Sequence, residues 1–320
     1  MTDEQRRIVV AINPTASFGR SRGVGPRVAA MLAERGHLVT ELMAGDFASL
    51  QARVADAVVG QPEALVVVGG DGMVSLGVEA VANTTVSLGI VPVGTGNDMA
   101  RGLGIPEHDP ATAVQMLLDA LEREPRIVDT GVVEWSGGGQ RRFAGVVSCG
   151  FDALVNERAN RIRFPKGASR YTISIAFELA KLKPISYRIE HDDGVIETEG
   201  MLVSVANNAF IGGGMWITPD AKLDDGLLDI FVVSRLSRVD FLRIFPKVFK
   251  GEHVDDPRVT IVRTRRARIE ADGIVGYADG ERLGLLPVDV AVDPGSLRLL
   301  APVPVPMAAT AEEPSQSPHT

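Results

Sequence analysis

The sequence predicts an α/β protein of two domains, an N-terminal doubly wound parallel α/β domain and a C-terminal antiparallel β-sandwich-like domain. Over the first 129 residues, short apolar runs alternate with amphipathic stretches, the rhythm of parallel strands and their covering helices. Beyond that point, strand-like runs follow one another and are separated by Gly, Asp and Asn, which is typical of antiparallel sheets. A length of 320 residues suits two domains, each large enough to bury a core.

The N-terminal domain is predicted to span residues 1–129. Its predicted strands are 8–12, 38–42, 65–68 and 86–91, and its predicted helices are 25–35, 47–59, 72–81 and 111–121. The strand segments are largely apolar, which indicates a parallel sheet covered on both faces. Sheets of this kind bind ligands at the carboxyl ends of their strands. We therefore expect the ligand site of this domain at that edge.

The C-terminal domain is predicted to span residues 130–294. Its predicted strands are 131–135, 143–148, 187–190, 201–206 and 227–233, and its helices are 169–182 and 237–249. A strand at about 295–301 is expected to return to the first domain. Residues 302–320 have the Pro-, Ser- and Glu-rich composition of a disordered tail.

Charge and cysteine content exclude several classes of protein. The net charge of −8 argues against a general nucleic-acid binder, which would carry a basic excess. The single cysteine, Cys149, allows no intramolecular disulfide and fits a reducing, cytoplasmic compartment. The N-terminus is too charged for a signal peptide, and no stretch reaches the roughly 18 apolar residues of a membrane span.

Three glycine-containing loops follow predicted strands of the N-terminal domain. They are residues 13–19 (NPTASFG), 69–72 (GGDG) and 92–98 (PVGTGND). Glycine lets the backbone approach a ligand closely, and a helix N-terminus offers free N–H groups to an anion. One such loop is also common as an ordinary turn, but three at successive strand ends favour a phosphate site. Asp71 would repel a triphosphate unless a metal ion such as Mg²⁺ lies between them.

The ordered set of motifs resembles the diacylglycerol-kinase catalytic family, which includes bacterial lipid kinases. After NP…G, GGDG and GTGNDMAR, the resemblance continues with Asn207-Asn208, the glycines 212–214, the segment 219–229 (PDAKLDDGLLD) and the triplet 279–281 (DGE). It covers roughly residues 8–300. It implies a kinase that transfers a phosphoryl group from ATP to a lipid hydroxyl, most simply that of diacylglycerol.

The resemblance also implies which residues surround the nucleotide. The nucleotide-binding residues are predicted to be Asn13, Pro14, Thr15, Thr40, Gly69, Gly70, Asp71, Gly72, Gly94, Thr95, Gly96 and Asn97. In one respect the sequence departs from the family. The usual GGDGT is here followed by Met73, so we expect a hydroxyl group near the phosphates to be missing.

Acidic residues of the C-terminal domain supply the remaining predicted functions. Residues 220–229 carry four aspartates, a pattern that a solvated turn also shows. By resemblance they form a structural Mg²⁺ site made by the Asp225 carboxylate and the backbone carbonyls of Lys222 and Leu227. The triplet 279–281 can likewise be a tight turn. By resemblance Glu281 is the catalytic base and Asp279 supports it.

Two segments are candidates for membrane contact. Residues 161–166 (RIRFPK) cluster cations among apolar side chains, and residues 241–250 (FLRIFPKVFK) interleave cations with phenylalanines. The first can equally be a solvated loop, and the second a core helix with positions 241, 244, 245 and 248 inward. The protein is expected at the inner face of the membrane as a peripheral protein. Its oligomeric state stays open, a homodimer included.

Other functions share parts of this pattern. A NAD kinase or a phosphofructokinase-like sugar kinase would resemble the sequence around GGDG. The GTGND loop and the DGE triplet favour the lipid kinase over both. A catalytically silent nucleotide-binding regulator would fit Met73, but it would have no need of Asp71, Asp225 and Glu281 together.

Overall fold

The computed structural model describes residues 5–13, 23–162, 168–181 and 183–303. Within these ranges the chain forms a parallel α/β unit followed by an antiparallel β-rich unit. The strands of the first unit are β1 (Arg7–Ile12), β2 (Leu38–Leu42), β3 (Ala64–Gly69) and β4 (Ser87–Pro92). Its helices are α1 (Val24–Glu34), α2 (Phe47–Val59), α3 (Asp71–Val81), α4 (Asp98–Gly102) and α5 (Pro110–Leu121).

The strands of the first unit lie in the order β2-β1-β3-β4, and all three pairings are parallel. Residues of β3 are buried throughout, as expected for a strand with helices on both faces. The sheet has a hydrophobic core on each face. Helices α1 and α5 contribute to one of these cores, and α2 and α3 contribute to the other. The order therefore reverses between β1 and β3, and in such sheets the ligand crevice lies at this reversal.

Local sequence explains where the helices begin. The carboxylate of Asp46 accepts a hydrogen bond from Ser49 N at 2.8 Å at the start of α2. Asp109 accepts one from Thr112 N at 3.1 Å at the start of α5. Such caps satisfy backbone donors that the first turn leaves free. Helix α3 differs, because its N-cap is Gly70 and no side chain caps it.

The second unit is built mainly of antiparallel strands. Its strands are β5 (Arg126–Trp135), β6 (Gly139–Phe143), β7 (Val146–Ser148), β8 (Ile185–His191), β9 (Gly194–Ala206), β10 (Phe210–Ile211), β11 (Met215–Trp216), β12 (Leu228–Ser234), β13 (Val259–Thr264), β14 (Arg266–Glu270), β15 (Val275–Ala278), β16 (Glu281–Leu285) and β17 (Val288–Leu300). Its helices are α6 (Phe151–Arg161), α7 (Ala168–Ala180), α8 (Arg238–Val248) and a short 3₁₀ helix (Glu252–Asp255).

Strands β5 and β17 join the two units. They pair with each other along most of their length, and the end of β17 continues the first sheet by pairing in parallel with β4 at Leu88 and Gly89. The other end of β17 pairs with β14 in the second unit. Asp129, on β5, accepts hydrogen bonds from Gly226 N at 2.7 Å and Gly295 N at 2.8 Å. The junction is thus made of continuous strands rather than a loose linker.

The predicted fold class is confirmed: the structure has an N-terminal parallel-sheet unit and a C-terminal antiparallel, sandwich-like unit. Helix α6 has no counterpart among the predicted helices, because its polar residues hide the apolar stripe that predicts a helix. No helix of the described residues is long and apolar enough to cross a membrane. The predicted tail lies almost wholly outside the described residues, from position 304 onward.

Candidate active site

The second and third glycine loops contact each other directly at the carboxyl edge of the parallel sheet. They leave the neighbouring strands β3 and β4, so their backbones come close. A Cβ atom at position 70 would lie 3.0 Å from Gly94 Cα. A Cβ at position 94 would lie 2.6 Å from Asn97 Oδ1. Glycine is required at position 94, where no Cβ fits, whereas a Cβ at position 70 would make a tight contact.

Asp71 holds the third loop in place. Its carboxylate accepts hydrogen bonds from Asn97 N at 2.8 Å and from Asp98 N at 2.7 Å. The side chain of Asn97 is buried and bonds to both Gly94 N and Gly94 O. These two predicted nucleotide-binding side chains therefore shape the loop itself. Thr95, by contrast, is exposed beside them.

Other predicted nucleotide-binding residues lie at or near this edge, except Thr40, which lies within strand β2. Asn13 directly follows β1, and its N–H approaches Val68 O of β3 at 3.5 Å. At position 72 a Cβ would meet no described atom within 4 Å, so this part of α3 borders open space. Thr40 lies two residues before the end of the edge strand β2, where it pairs with Val9. Pro14 and Thr15 lie outside the described residues.

Met73 does not lie where the sequence analysis expected it. Its side chain is 2% exposed and belongs to the core of the N-terminal unit. It packs under Gly69, where an added Cβ would overlap it. The first turn of α3 points position 73 toward the sheet, away from the open space at Gly72. The side chain at position 73 therefore contributes to the core of the N-terminal unit instead of facing the predicted phosphate site.

Asp98 connects the two units, a role that the sequence analysis missed. Its carboxylate accepts hydrogen bonds from Gly213 N at 2.9 Å and Gly214 N at 2.8 Å, and it pairs with Arg101 at 3.0 Å. Burial, together with the negative charge of Asp71, raises the pKa of Asp98 to about 6. Both glycines have positive φ. The anion held by this glycine motif is thus a side chain of the protein itself.

Asn208 adds a second link between the same segments. Its Nδ2 donates to Asp98 O at 3.1 Å, across the gap between the units. Asn207 beside it donates to Asp129 O and Ala144 O. The motif order had pointed to this asparagine pair, but the sequence alone assigned it no contact.

The hairpin between β15 and β16 carries the two predicted catalytic residues. Asp279 has a positive φ of 48°, and its carboxylate accepts hydrogen bonds from the backbone N–H groups of Ala144, Gly145 and Val146. Desolvation raises the pKa of Asp279 to about 6, and the charge of Asp71 acts in the same direction. Gly145 O also accepts a hydrogen bond from Asn208 N at 3.2 Å, so the hairpin is linked through Asn208 and Asp98 to the Asp71 loop. Glu281, the first residue of β16, is exposed.

A network beside the hairpin supports β16 from α6. Glu157 of α6 accepts hydrogen bonds from Tyr277 OH and from Arg282 Nε at 3.2 Å. Arg161 also pairs with Glu157, at 2.8 Å. The hydrogen bond from Tyr277 is the largest cause that lowers the pKa of Glu157. No sequence motif signalled this network, because its members come from three separate elements.

The predicted metal-binding residues lie in one loop next to the junction. Asp225 Oδ1 accepts a hydrogen bond from Leu227 N at 3.1 Å, and its Oδ2 lies 3.8 Å from Arg263. One carboxylate and the carbonyl oxygens of Lys222 and Leu227 form an all-oxygen donor set, which suits a hard cation such as Mg²⁺. Among the described residues, no group of three or more acidic, His or Cys side chains could hold a metal ion. A metal here would therefore depend on backbone oxygens and water.

Arg263 stands among several acids of this loop, which sequence reasoning did not anticipate. It pairs with Asp229 at 3.4 Å and donates to Asp220 O at 2.5 Å. Burial raises the pKa of Asp229 to about 6, whereas the charge of Arg263 opposes that shift. The acid-rich loop is thus partly neutralised by Arg263 and also by Arg126, which pairs with Asp224 at 3.1 Å.

The fold and the site define a two-unit α/β protein in which hydrogen bonds link the glycine loops of the first unit to the acidic hairpin of the second. Residues 7–132 match the family model described as the diacylglycerol kinase catalytic domain. Residues 145–301 match the YegS C-terminal NAD kinase beta sandwich-like domain.

Individual relatives agree with these matches. A diacylglycerol kinase of Mycobacterium tuberculosis is 36% identical over 297 residues, covering 92% of this chain and 95% of the relative. A YegS-like lipid kinase of Chromohalobacter salexigens is 30% identical over 247 residues, covering 73% and 74%. The crystal structure of a diacylglycerol kinase from Bacillus anthracis superposes with a TM-score of 0.70 at 20% identity, covering 93% and 97%. That structure supports the fold.

This chain belongs to the diacylglycerol kinase family. It is an enzyme of the ATP-dependent lipid-kinase class, which confirms the resemblance seen in its motifs.

Proposed function

We propose that this enzyme transfers the γ-phosphoryl group of ATP to the free hydroxyl of diacylglycerol and so forms phosphatidic acid. The observation that carries the proposal is the closeness of the Asp71 loop and the Asp279 hairpin. A chain of hydrogen bonds connects them: Asp279 accepts from Gly145 N, and Gly145 O accepts from Asn208 N at 3.2 Å. Asn208 in turn donates to Asp98 O, and Asp98 N donates to the Asp71 carboxylate. We propose that the active-site cleft lies between the phosphate-binding edge of the sheet and the exposed Glu281. The names of the relatives, diacylglycerol kinase and lipid kinase, support the substrate class.

The nucleotide phosphates are proposed to bind at the uncapped N-terminus of α3. With Gly70 as N-cap and no side-chain cap, backbone donors of the first turn are available to an anion. Gly72 borders open space, so the backbone can be approached closely there. Asn13 and Thr95 would flank the same edge.

Mg²⁺ is proposed at two places with different roles. ATP supplies the transferred phosphoryl group, and the Mg²⁺ that accompanies it supplies charge neutralisation near Asp71. A second, structural ion would be held by Asp225 together with the carbonyls of Lys222 and Leu227. Because this loop donates Gly226 N to Asp129 at the junction, an ion there would stiffen the contact between the units.

Glu281 is proposed as the general base. Its carboxylate would remove the proton of the lipid hydroxyl while that oxygen forms a bond to the γ-phosphorus. The bond between the γ-phosphorus and the β–γ bridging oxygen breaks at the same time, and ADP leaves with that oxygen. Asp279 does not touch the acceptor in this scheme; it fixes the hairpin through its three hydrogen bonds to residues 144–146. Phosphoryl transfer needs positioning more than strong base catalysis, and a rigid hairpin provides it.

The acceptor would be reached from the surface of a bilayer, at its inner face. Purified enzyme and labelled ATP should be offered diacylglycerol vesicles, phosphatidylglycerol vesicles, NAD and fructose 6-phosphate in parallel. We expect label in the lipid fraction with diacylglycerol. Label only in phosphatidylglycerol would correct the substrate, and label only in a soluble acceptor would overturn the lipid-kinase proposal for this chain.

A further inference from the structure

Helix α8 has an inner face that belongs to the core. Phe241 and Ile244 are buried, and Phe245 and Val248 pack partly against the same cluster. The ring of Phe241 lies 5.0 Å from that of Phe151 on α6. This is the arrangement expected for a core helix of segment 241–250.

The opposite face of α8 is also apolar, although it faces solvent. Val239, Leu242 and Phe249 are 56%, 59% and 48% exposed, and Pro246 between them is exposed as well. The spacing 239, 242, 246 and 249 follows steps of three and four residues, so these side chains form one stripe along the helix. Large side chains exposed in a row along one helix indicate a contact surface rather than scattered surface residues.

A row of cations runs beside the stripe. Arg243, Lys247 and Lys250 repeat at the same helical spacing and are all exposed, with Arg243 75% exposed. The acid of this helix, Asp240, lies 3.2 Å from Arg258 and 3.8 Å from Arg243, and it accepts a hydrogen bond from the hydroxyl of Ser237. Glu252 and Asp255 follow only beyond the turn at Gly251. The surface is therefore locally positive on a chain with a net charge of −8.

Helix α6 connects this surface to the catalytic hairpin. Its Phe151 packs on Phe241 of α8, and two turns later its Glu157 bonds to Tyr277 and Arg282 next to Glu281. The exposed face of α8 thus belongs to the same helical layer that borders the proposed acceptor site.

We propose that the α8 outer face, defined as Val239, Leu242, Pro246 and Phe249 with Arg243, Lys247 and Lys250, docks the enzyme on an anionic lipid bilayer. The apolar stripe enters the headgroup region, and the cations contact lipid phosphates. The inference rests on the proposed function, because it places the enzyme where its acceptor resides. In the other basic segment, residues 161–166, Arg163 and Lys166 lie outside the described residues.

Cosedimentation of the full chain with vesicles, without ATP, tests the docking. The probes are phosphatidylcholine vesicles with and without phosphatidylglycerol, at low and high salt. The double variant Leu242→Glu/Phe249→Glu should lower binding to both kinds of vesicle at least tenfold. The triple variant Arg243→Gln/Lys247→Gln/Lys250→Gln should lower binding to anionic vesicles on the order of 100-fold at low salt and far less at high salt. The control is Val59→Glu, at an 82% exposed position of α2, which should bind like the wild type.

Activity on a short-chain diacylglycerol, kept below its critical micelle concentration, separates docking from chemistry. Both α8 variants should phosphorylate this dispersed substrate at the wild-type rate and lose activity only on vesicles. Equal vesicle binding by wild type and both α8 variants would overturn the docking proposal. So would a dimer that these variants convert to monomer, because the occupant would then be a second copy of the chain. A wild type that binds vesicles yet never phosphorylates diacylglycerol would instead refute the proposed function alone.

Discussion

Asp98 and Asp279 have carboxyl groups that fold into poorly solvated positions beside the cleft. Burial raises the pKa of each to about 6, above the value of 3.8 that an unfolded aspartate has. A folded-state pKa above the unfolded value means that the folded protein binds more protons. The stabilisation from these groups is therefore complete below about pH 4 and is lost as the pH rises through about 6.

Asp98→Asn should remove one of these titrations. The variant loses a hydrogen-bonded carboxylate, so its free energy of unfolding should be lower than that of the wild type at every pH. The difference between the two free energies should shrink as the pH rises. Between pH 4.5 and 7.5 we expect the stability difference between wild type and variant to narrow by about 1–3 kcal/mol. Urea unfolding at several pH values measures it. A deficit that stays constant or grows with pH would contradict the raised pKa.

Glu281 is the residue on which the proposed chemistry depends most directly. Glu281→Gln keeps the shape of an exposed side chain, so folding and ATP affinity should be unchanged. Loss of the base should lower kcat by at least about 10²-fold. Steady-state kinetics with diacylglycerol, and nucleotide binding by calorimetry, give the two readouts. The matched control is Glu199→Gln, on the exposed part of β9; near-normal kcat in Glu281→Gln would remove this residue from the mechanism.

At the scale of elements, the glycine loops owe their positions to strand order. Because β3 and β4 are neighbours in a parallel sheet, the loops that follow them leave the same edge and touch at Gly70 and Gly94. Asp71 then bonds the third loop to the first turn of α3. Position 72 differs from position 94 because it has room for a side chain.

Gly94→Ala and Gly72→Ala should separate packing from ligand contact. Alanine at position 94 forces the loops apart, so both thermal stability and ATP binding should fall, with the ATP Kd raised at least tenfold. Alanine at position 72 favours the helix by about 0.5–1 kcal/mol and should leave the melting temperature unchanged or higher. If the phosphates use this open space, ATP binding should still weaken. Unaltered ATP affinity in Gly72→Ala would place the nucleotide elsewhere.

For the whole molecule, the junction is the decisive feature. Continuous strands β5 and β17 cross it, and Asp129 bonds both the acid-rich loop and Gly295. Asp98 with Gly213 and Gly214 forms a second bridge at the cleft. The units can therefore move relative to each other only if strands bend or these hydrogen bonds break. This restraint holds the two sides of the proposed cleft in a fixed relative position.

A structural metal at Asp225 would add a third connection. Because a ligand that binds only the folded state stabilises it, the melting temperature should rise by a few degrees in Mg²⁺ relative to EDTA. Asp225→Ala should abolish this difference, and Asp193→Ala, in an exposed turn, should preserve it. Identical melting of the wild type in Mg²⁺ and EDTA would show that no such site exists.

Much of the architecture was predictable because it depends on local pattern. Apolar strands such as 65–68 and the helices between them follow from the periodicity of neighbouring residues, and the glycine loops follow from strands that end at one edge. The predicted helices 169–182 and 237–249 correspond to α7 and α8 within two residues at each end. Helix α6 was missed because charged and polar residues dominate it.

Only the tertiary structure decided what the motifs contact. Gly213 and Gly214 bind Asp98, which is more than 110 positions earlier in the chain, and Met73 turns into the core instead of the cleft. Helix α8 carries large apolar residues on two sides, and its packing against α6 decides which of the two sides is buried. The physical reason is common to all three. Periodicity reports whether a segment is helical or extended, whereas the partner of a side chain depends on which distant segments the complete sheet brings together.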